Sequence, residues 1–282
     1  MKINNVGVIG AGQMGAGIAQ VCATIGKKVI LCDIKKEFVE NGMEAIEKNL
    51  NRAVDKEKIS QEKMDKTLSN ISTSINNKEL DNCDIIIEAI IEDVNIKKHL
   101  FKELGKICKE SAILASNTSS IPIGILAEVS GRPHNVVGMH FMNPVPVMKL
   151  VEVIRAKTTD DETFEATFKL AEELGKIPVL VNDFPGFVSN RILLPMLNEA
   201  MFCVMEGVAE PEAIDTVMKL GMSHPMGPLR LADFIGLDTC LAIMEVLHRD
   251  FDDDKYRPCP LLKKMVEDGK LGNKSGEGFY KY

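Results

Sequence analysis

Val6-Gly7-Val8-Ile9-Gly10-Ala11-Gly12-Gln13-Met14-Gly15 decides the fold of this chain. Its first residues have the branched, apolar character of a buried strand, and the residues after the motif have the periodicity of a helix. Between them stands G-x-G-x-x-G, and each glycine has its own mechanical reason. Gly10 permits the tight turn, Gly12 lets the backbone come close to a ligand, and Gly15 lets helix and strand pack closely. A helix start also offers unpaired N–H groups and the positive end of the helix dipole. Gly10, Ala11, Gly12, Gln13, Met14 and Gly15 therefore read as a cradle for the pyrophosphate of a dinucleotide. Asp33 ends the second candidate strand, where a carboxylate accepts hydrogen bonds from the adenosine ribose and repels a 2′-phosphate. NAD is expected over NADP, because no arginine follows Asp33, although Lys35 and Lys36 stand close.

Outward from this motif the first half alternates strand-like and helix-like segments. Strands are expected at residues 6–10, 28–33, 71–74, 84–88, 113–116 and 136–140, with helices at 13–25, 35–55 and 94–109. That rhythm predicts a parallel sheet with crossover helices. A further strand at 150–154 follows the turn-rich Met142-Asn143-Pro144-Val145-Pro146-Val147, and a helix at 162–174 leads to a last strand at 178–181. After Asp183-Phe184-Pro185-Gly186 only helical periodicity remains, at 187–205, 211–220, 228–234, 238–249 and 260–268. The expected fold class is α/β: a doubly wound Rossmann-type domain over residues 1–184, then an all-helical domain over 185–282.

Composition narrows the function. The 282 residues are 45% hydrophobic and 27% charged, with a formal net charge of −7 that argues against nucleic-acid binding. No apolar run approaches the roughly 18 residues of a membrane span, and no targeting signal is seen, so the cytoplasm is the expected compartment. Seven scattered cysteines without a CxxC pair read as reduced thiols, neither a disulfide framework nor a metal site.

His140 ends the strand at 136–140, and ligands of open α/β sheets collect beyond such strand ends. Glu152 is the one carboxylate in the apolar Leu150-Val151-Glu152-Val153-Ile154. A buried carboxylate needs a partner, and pairing with His140 would orient the imidazole and stabilise its charged form.

The chain resembles the L-3-hydroxyacyl-CoA dehydrogenase family, most closely its bacterial 3-hydroxybutyryl-CoA branch. The likeness runs along the whole length. It rests on the glycine motif, Ala115-Ser116-Asn117-Thr118-Ser119-Ser120, the run from His140 to Val153, and Pro185-Gly186-Phe187-Val188-Ser189-Asn190-Arg191. Met218-Lys219-Leu220-Gly221, Pro225-Met226-Gly227-Pro228 and Gly276-Glu277-Gly278-Phe279-Tyr280 complete it. The resemblance implies that His140 takes the proton of the substrate's 3-hydroxyl while hydride passes from C3 to the nicotinamide, with Glu152 supporting it. Ser119 and Asn190 match the residues that hold the reacting oxygen and the neighbouring acyl group. Glu92, Lys97, Asn117, Asn143 and Lys274 match NAD contacts, and Lys56 and Asn49 match positions that meet coenzyme A. A CoA thioester as substrate, and a homodimer or higher homo-oligomer formed through the helical domain, are likewise implied.

Blander readings stand beside these. Ser119 and Asn190 are residue types that cap helices, Lys56 lies in a charged, solvated stretch, and Glu88 reads as a strand-end carboxylate without chemistry. Two other functions share the motif: a β-hydroxyacid dehydrogenase acting on free acids through a catalytic lysine, and an NAD-binding protein without activity.

Overall fold

A computed structural model describes residues Met1–Tyr282 in full. The chain divides into two compact units, Met1–Asp183 and Phe184–Tyr282.

The first unit is built on eight strands: β1 (Asn5–Ile9), β2 (Lys28–Cys32), β3 (Ile71–Ser74), β4 (Ile85–Glu88), β5 (Ile113–Ser116), β6 (Val136–Phe141), β7 (Leu150–Arg155) and β8 (Ile177–Asn182). They lie side by side in the order β3-β2-β1-β4-β5-β6-β7-β8. The first six run parallel, as their alternation with helices requires. Helices α1 (Gln13–Thr24), α2 (Lys36–Asp55), α3 (Gln61–Ser69), α4 (Val94–Ile107), α5 (Ile123–Ser130) and α6 (Asp161–Glu173) belong to this unit. β4 reads Ile-Ile-Ile-Glu with every residue buried, the continuous apolar run of a strand covered on both faces. Ala16, Ala19 and Ala23 on α1 are nearly inaccessible and join Val6, Val8 and Leu31 in one core. Truncating a fully buried leucine such as Leu31 to alanine should cost about 2–5 kcal/mol.

β7 departs from the parallel rhythm and runs antiparallel to β6. Parallel neighbours need a crossover of about a dozen residues or more, and the segment from Phe141 to Leu150 is too short for one. The chain must double back, and that reversal sets His140 directly opposite Glu152.

Two helices escape the periodicity reading. In α3 only Met64 and Thr67 are buried, so its apolar stripe is too thin to register; its cap, Ser60 accepting from the Lys63 N–H, is the legible signal. In α5 the apolar residues run almost all round, and Pro122 at its start supplies no side-chain cap. The acceptor is Asp183, distant in sequence, which takes the N–H groups of Ile123 (2.9 Å) and Gly124 (2.7 Å).

The second unit is helical: α7 (Ser189–Met205), α8 (Pro211–Gly221), α9 (Pro228–Ile235), α10 (Leu237–Phe251) and α11 (Pro260–Glu267). Prolines open α8, α9 and α11, where a missing N–H costs nothing. Leu197, Met201, Leu229, Leu237, Met244, Leu247 and Leu262 form its core. Asp215 of α8 caps α9, accepting from the Leu229 and Arg230 N–H groups.

Candidate active site

The glycine turn is built as the motif demands. Gly10 has φ +99°, and a Cβ there would lie 2.5 Å from the Ala89 carbonyl oxygen. A Cβ on Gly15 would meet the Gly10 oxygen at 1.7 Å, so glycine here serves helix–strand contact. Gly12 differs from both. Its φ of −69° suits any residue, and nothing in the chain lies within 4 Å of where its Cβ would be. Neither conformation nor packing within the polypeptide asks for glycine at this position; a ligand laid against the backbone does. Gly12 is also the N-cap of α1, with no side-chain acceptor on the first turn and no acidic residue there. Those N–H groups and the dipole remain for an anion. The residues present thus fit a dinucleotide. Asp33 is tied to the same turn, its carboxylate accepting from the Ala11 N–H at 2.6 Å and the Ile34 N–H at 2.7 Å.

Across the sheet, at the carboxyl end of β6, His140 and Glu152 are 6% and 2% exposed. Cross-strand pairing brings them together, with Nδ1 of His140 2.7 Å from Glu152 Oε2. An ionised carboxylate only accepts, so Nδ1 carries the proton, and in the neutral ring Nε2 is left with a lone pair. That Nε2 is 2.9 Å from Ser119 Oγ. The neutral ring accepts from the serine hydroxyl, and the protonated ring donates to it.

Ser119 sits on a segment organised by one carboxylate oxygen. Glu92 Oε1 accepts from Thr118 Oγ1 (2.5 Å), Ser119 N (3.0 Å), Ser120 N (3.1 Å) and Ser120 Oγ (2.9 Å). Glu92 Oε2 lies 3.1 Å from the Lys97 ammonium. Burial would raise the Glu92 carboxyl, but Lys97 and the hydroxyl donors hold it below the usual carboxylate range. Lys97 is only 1% exposed, and its Nζ also meets Glu88 at 2.6 Å. Asn117, the other residue of this segment matched to the cofactor, spends its Oδ1 on the Phe141 N–H at 2.8 Å, pinning the strand end that follows His140.

Of the residues singled out in the sequence, the structure brings His140, Glu152 and Ser119 into one chain, with Glu92 and Lys97 behind it. Asn143 lies in the turn between β6 and β7, next to Pro144. Lys176, unnoticed in the sequence, closes that turn: its Nζ donates to the carbonyls of Val145 and Met148, and burial lowers its pKa. Lys56 ends α2, and both it and Asn49 are exposed. In the second unit, Asn190 stands in the first turn of α7, and Lys274 pairs with Asp238 at 2.6 Å.

The chain has relatives among known proteins. Residues 5–184 match the family model for the 3-hydroxyacyl-CoA dehydrogenase NAD binding domain, and residues 186–282 match the C-terminal domain of the same family. The chain belongs to the 3-hydroxyacyl-CoA dehydrogenase family, a family of oxidoreductases. Within it, the chain is 62% identical to a probable 3-hydroxybutyryl-CoA dehydrogenase of Deinococcus radiodurans, over 98% of this chain and 99% of that protein. It is 44% identical to the mitochondrial hydroxyacyl-coenzyme A dehydrogenase of Homo sapiens, over 99% of this chain and 91% of that one. The crystal structure of the (S)-3-hydroxybutyryl-CoA dehydrogenase PaaH1 from Ralstonia eutropha superposes with a TM-score of 0.97 at 49% identity, covering 100% of this chain and 99% of that chain.

Proposed function

We propose that this chain interconverts (S)-3-hydroxybutyryl-CoA and acetoacetyl-CoA, with NAD as the redox partner and His140 as the general acid/base. The observation that carries the reading is the Ser119–His140–Glu152 chain, 2.9 Å and 2.7 Å long, at the carboxyl end of β6. When bound, the nicotinamide supplies the acceptor and donor of hydride. The protein's work is the proton. In oxidation, His140 Nε2 takes the proton of the 3-hydroxyl; in reduction, the protonated ring returns it to the oxygen of the 3-keto group. Glu152 holds the ring by Nδ1 and offsets the positive charge it gains. A positioned acid/base of this kind contributes about 10²–10⁴-fold. Ser119 marks the place where the reacting oxygen docks, and Asn190 holds the neighbouring acyl group.

Gly10 to Gly15 take the pyrophosphate and Asp33 the adenosine ribose. Glu92, Lys97, Asn117, Asn143 and Lys274 line the remainder of the NAD, and Lys56 and Asn49 meet coenzyme A. We read the enzyme as a cytoplasmic homodimer or higher homo-oligomer. No helix is long and apolar enough to cross a membrane.

Steady-state kinetics test the reading. Acetoacetyl-CoA should be reduced far faster than free acetoacetate, and NADH should be preferred over NADPH. Equal rates with the free acid would refute the CoA thioester as substrate, and a strong NADPH preference would refute the role given to Asp33.

A further inference from the structure

Glu88 closes β4 with no exposure at all, and a carboxylate so placed must be fully paired. It is. Oε1 accepts from the Lys97 ammonium at 2.6 Å and the Ile90 N–H at 2.8 Å. Oε2 accepts from Ser116 Oγ at 2.6 Å. Each donor leads on toward the reacting segment. Ser116 Oγ, its proton spent on Glu88, accepts from the Thr118 N–H at 3.2 Å. Lys97 reaches past Glu88 to Glu92, and Glu92 gathers the Thr118, Ser119 and Ser120 donors on one oxygen. The two routes from Glu88, one through Ser116 and one through Lys97 and Glu92, converge on residues 118–120.

We propose that Glu88 is a positioning residue for the Ser119–His140 pair: it fixes Lys97 and Ser116, and through them the backbone that aims the Ser119 hydroxyl at His140 Nε2. The inference rests on the function proposed above, because it assigns Ser119 to the reacting oxygen.

Four donors converge on Glu92 Oε1, which an oxygen sustains only while it carries negative charge. Lys97 supplies the compensating charge, and a lysine side chain that is not itself held has many rotamers to choose from. Glu88 and Glu92 together leave its ammonium one position. Replacing Glu88 by glutamine keeps the shape but not the chemistry. One amide oxygen remains to accept, while the amide NH₂ faces either Lys97 or Ser116, both of which are donors in the native arrangement.

The test is a double-mutant cycle in the intact chain, measured as acetoacetyl-CoA reduction by NADH. Glu88→Gln should lower kcat about tenfold or more, and any rise in the KM for NADH, transmitted through Lys97 and Glu92, should be smaller than the loss in kcat. Ser119→Ala should lower kcat on its own. The kcat of the double variant Glu88→Gln/Ser119→Ala at saturating NADH should be no lower than that of Ser119→Ala, because Glu88 acts on turnover through Ser119. Multiplying losses would show that Glu88 merely supports the fold, and so would a Glu88→Gln enzyme with kcat within twofold of wild type. If Glu88→Gln does not fold, Ser116→Ala cuts the second route alone: it should lower kcat severalfold, again without adding to Ser119→Ala, and full activity would overturn the proposal. A wild-type protein that does not reduce acetoacetyl-CoA would refute the functional reading itself, an outcome separate from all of these.

Discussion

Both units bury carboxylates, and they pair them differently. In the first unit Glu88 and Glu152, 0% and 2% exposed, face titratable side chains, Lys97 and His140. In the second, Asp215 and Asp233, 6% and 0% exposed, face backbone N–H groups and tyrosine hydroxyls. Asp215 accepts from two backbone N–H groups of α9 and from Tyr280 Oη. Asp233 accepts from the N–H groups of Phe279 and Tyr280 and from Tyr282 Oη, holding the C-terminal tail. The comparison teaches that burial of an acid does not by itself mark chemistry. What separates the two sets is the partner: Glu88 and Glu152 hold an ammonium and an imidazole beside the proposed site, whereas Asp215 and Asp233 hold backbone N–H groups and tyrosine hydroxyls.

The contrast breaks first at His140. His140→Gln should lower kcat by about 10²–10⁴-fold while leaving NADH affinity within about twofold, measured by turnover and by fluorescence titration of NADH. Retained turnover would remove the first half of the comparison. Glu152→Gln comes next. It exchanges a charge-assisted hydrogen bond, worth about 1.5–3 kcal/mol, for a neutral one, so kcat should fall about 10- to 100-fold. Asp233→Ala is its mirror. Three donors in the tail lose their acceptor; a fully buried unpaired group would cost about 1–3 kcal/mol, and these half-buried or exposed ones cost less, because water can replace part of the lost bonding. Its unfolding midpoint should drop by several degrees, while kcat at saturating NADH stays within about twofold. Should Asp233→Ala abolish turnover without lowering the midpoint, the division between chemical and architectural carboxylates would fail.

A smaller effect separates ligand-binding glycine from structural glycine within one motif. Gly12→Ala adds a methyl group that no atom of the chain opposes, so the unfolding midpoint should hold. NADH affinity should fall by about 5- to 150-fold, the equivalent of about 1–3 kcal/mol of crowding against a bound ligand. Gly15→Ala should do the reverse and destabilise the fold, since its Cβ would fall 1.7 Å from a backbone oxygen.

What the sequence discloses of this molecule follows the range of each interaction. Gly12 and Asp33 are legible because a strand, a turn and a helix start are local patterns. The His140–Glu152 pair is nearly as local: two strands joined by a short turn must pair antiparallel, which aligns the two residues. Asp183 at the start of α5 cannot be read this way, because the N–H groups it caps lie far back in the chain. Asp215 and Asp233 fail for the same reason: Asp215 pairs with the start of α9 and with Tyr280, and Asp233 with the tail. Glu88 shows the limit most plainly. As the end of an Ile-Ile-Ile-Glu strand it reads as a bland terminus, and its meaning arrives only when α4 delivers Lys97 and β5 delivers Ser116.

The smallest expected effect is a difference in sign. Glu92 has a lowered folded-state pKa, so the stability it contributes is fully present above the unfolded glutamate value of about 4.3. That contribution is lost as pH falls through the lower folded value. Asp233 runs the other way. Burial raises its pKa despite the Phe279 and Tyr280 N–H groups that favour the anion. The cost of keeping it ionised is therefore present above the raised folded value and relieved as pH falls through that value toward the unfolded aspartate value of about 3.9. Unfolding midpoints of wild type, Glu92→Gln and Asp233→Asn, measured from pH 7 down to about 3.5, isolate the two groups by difference. The advantage of wild type over Glu92→Gln should be widest at neutral pH and close on acidification. Relative to Asp233→Asn, wild type should gain as the pH falls. Gaps that move in the same direction would mean that the two carboxylates differ in address and not in kind.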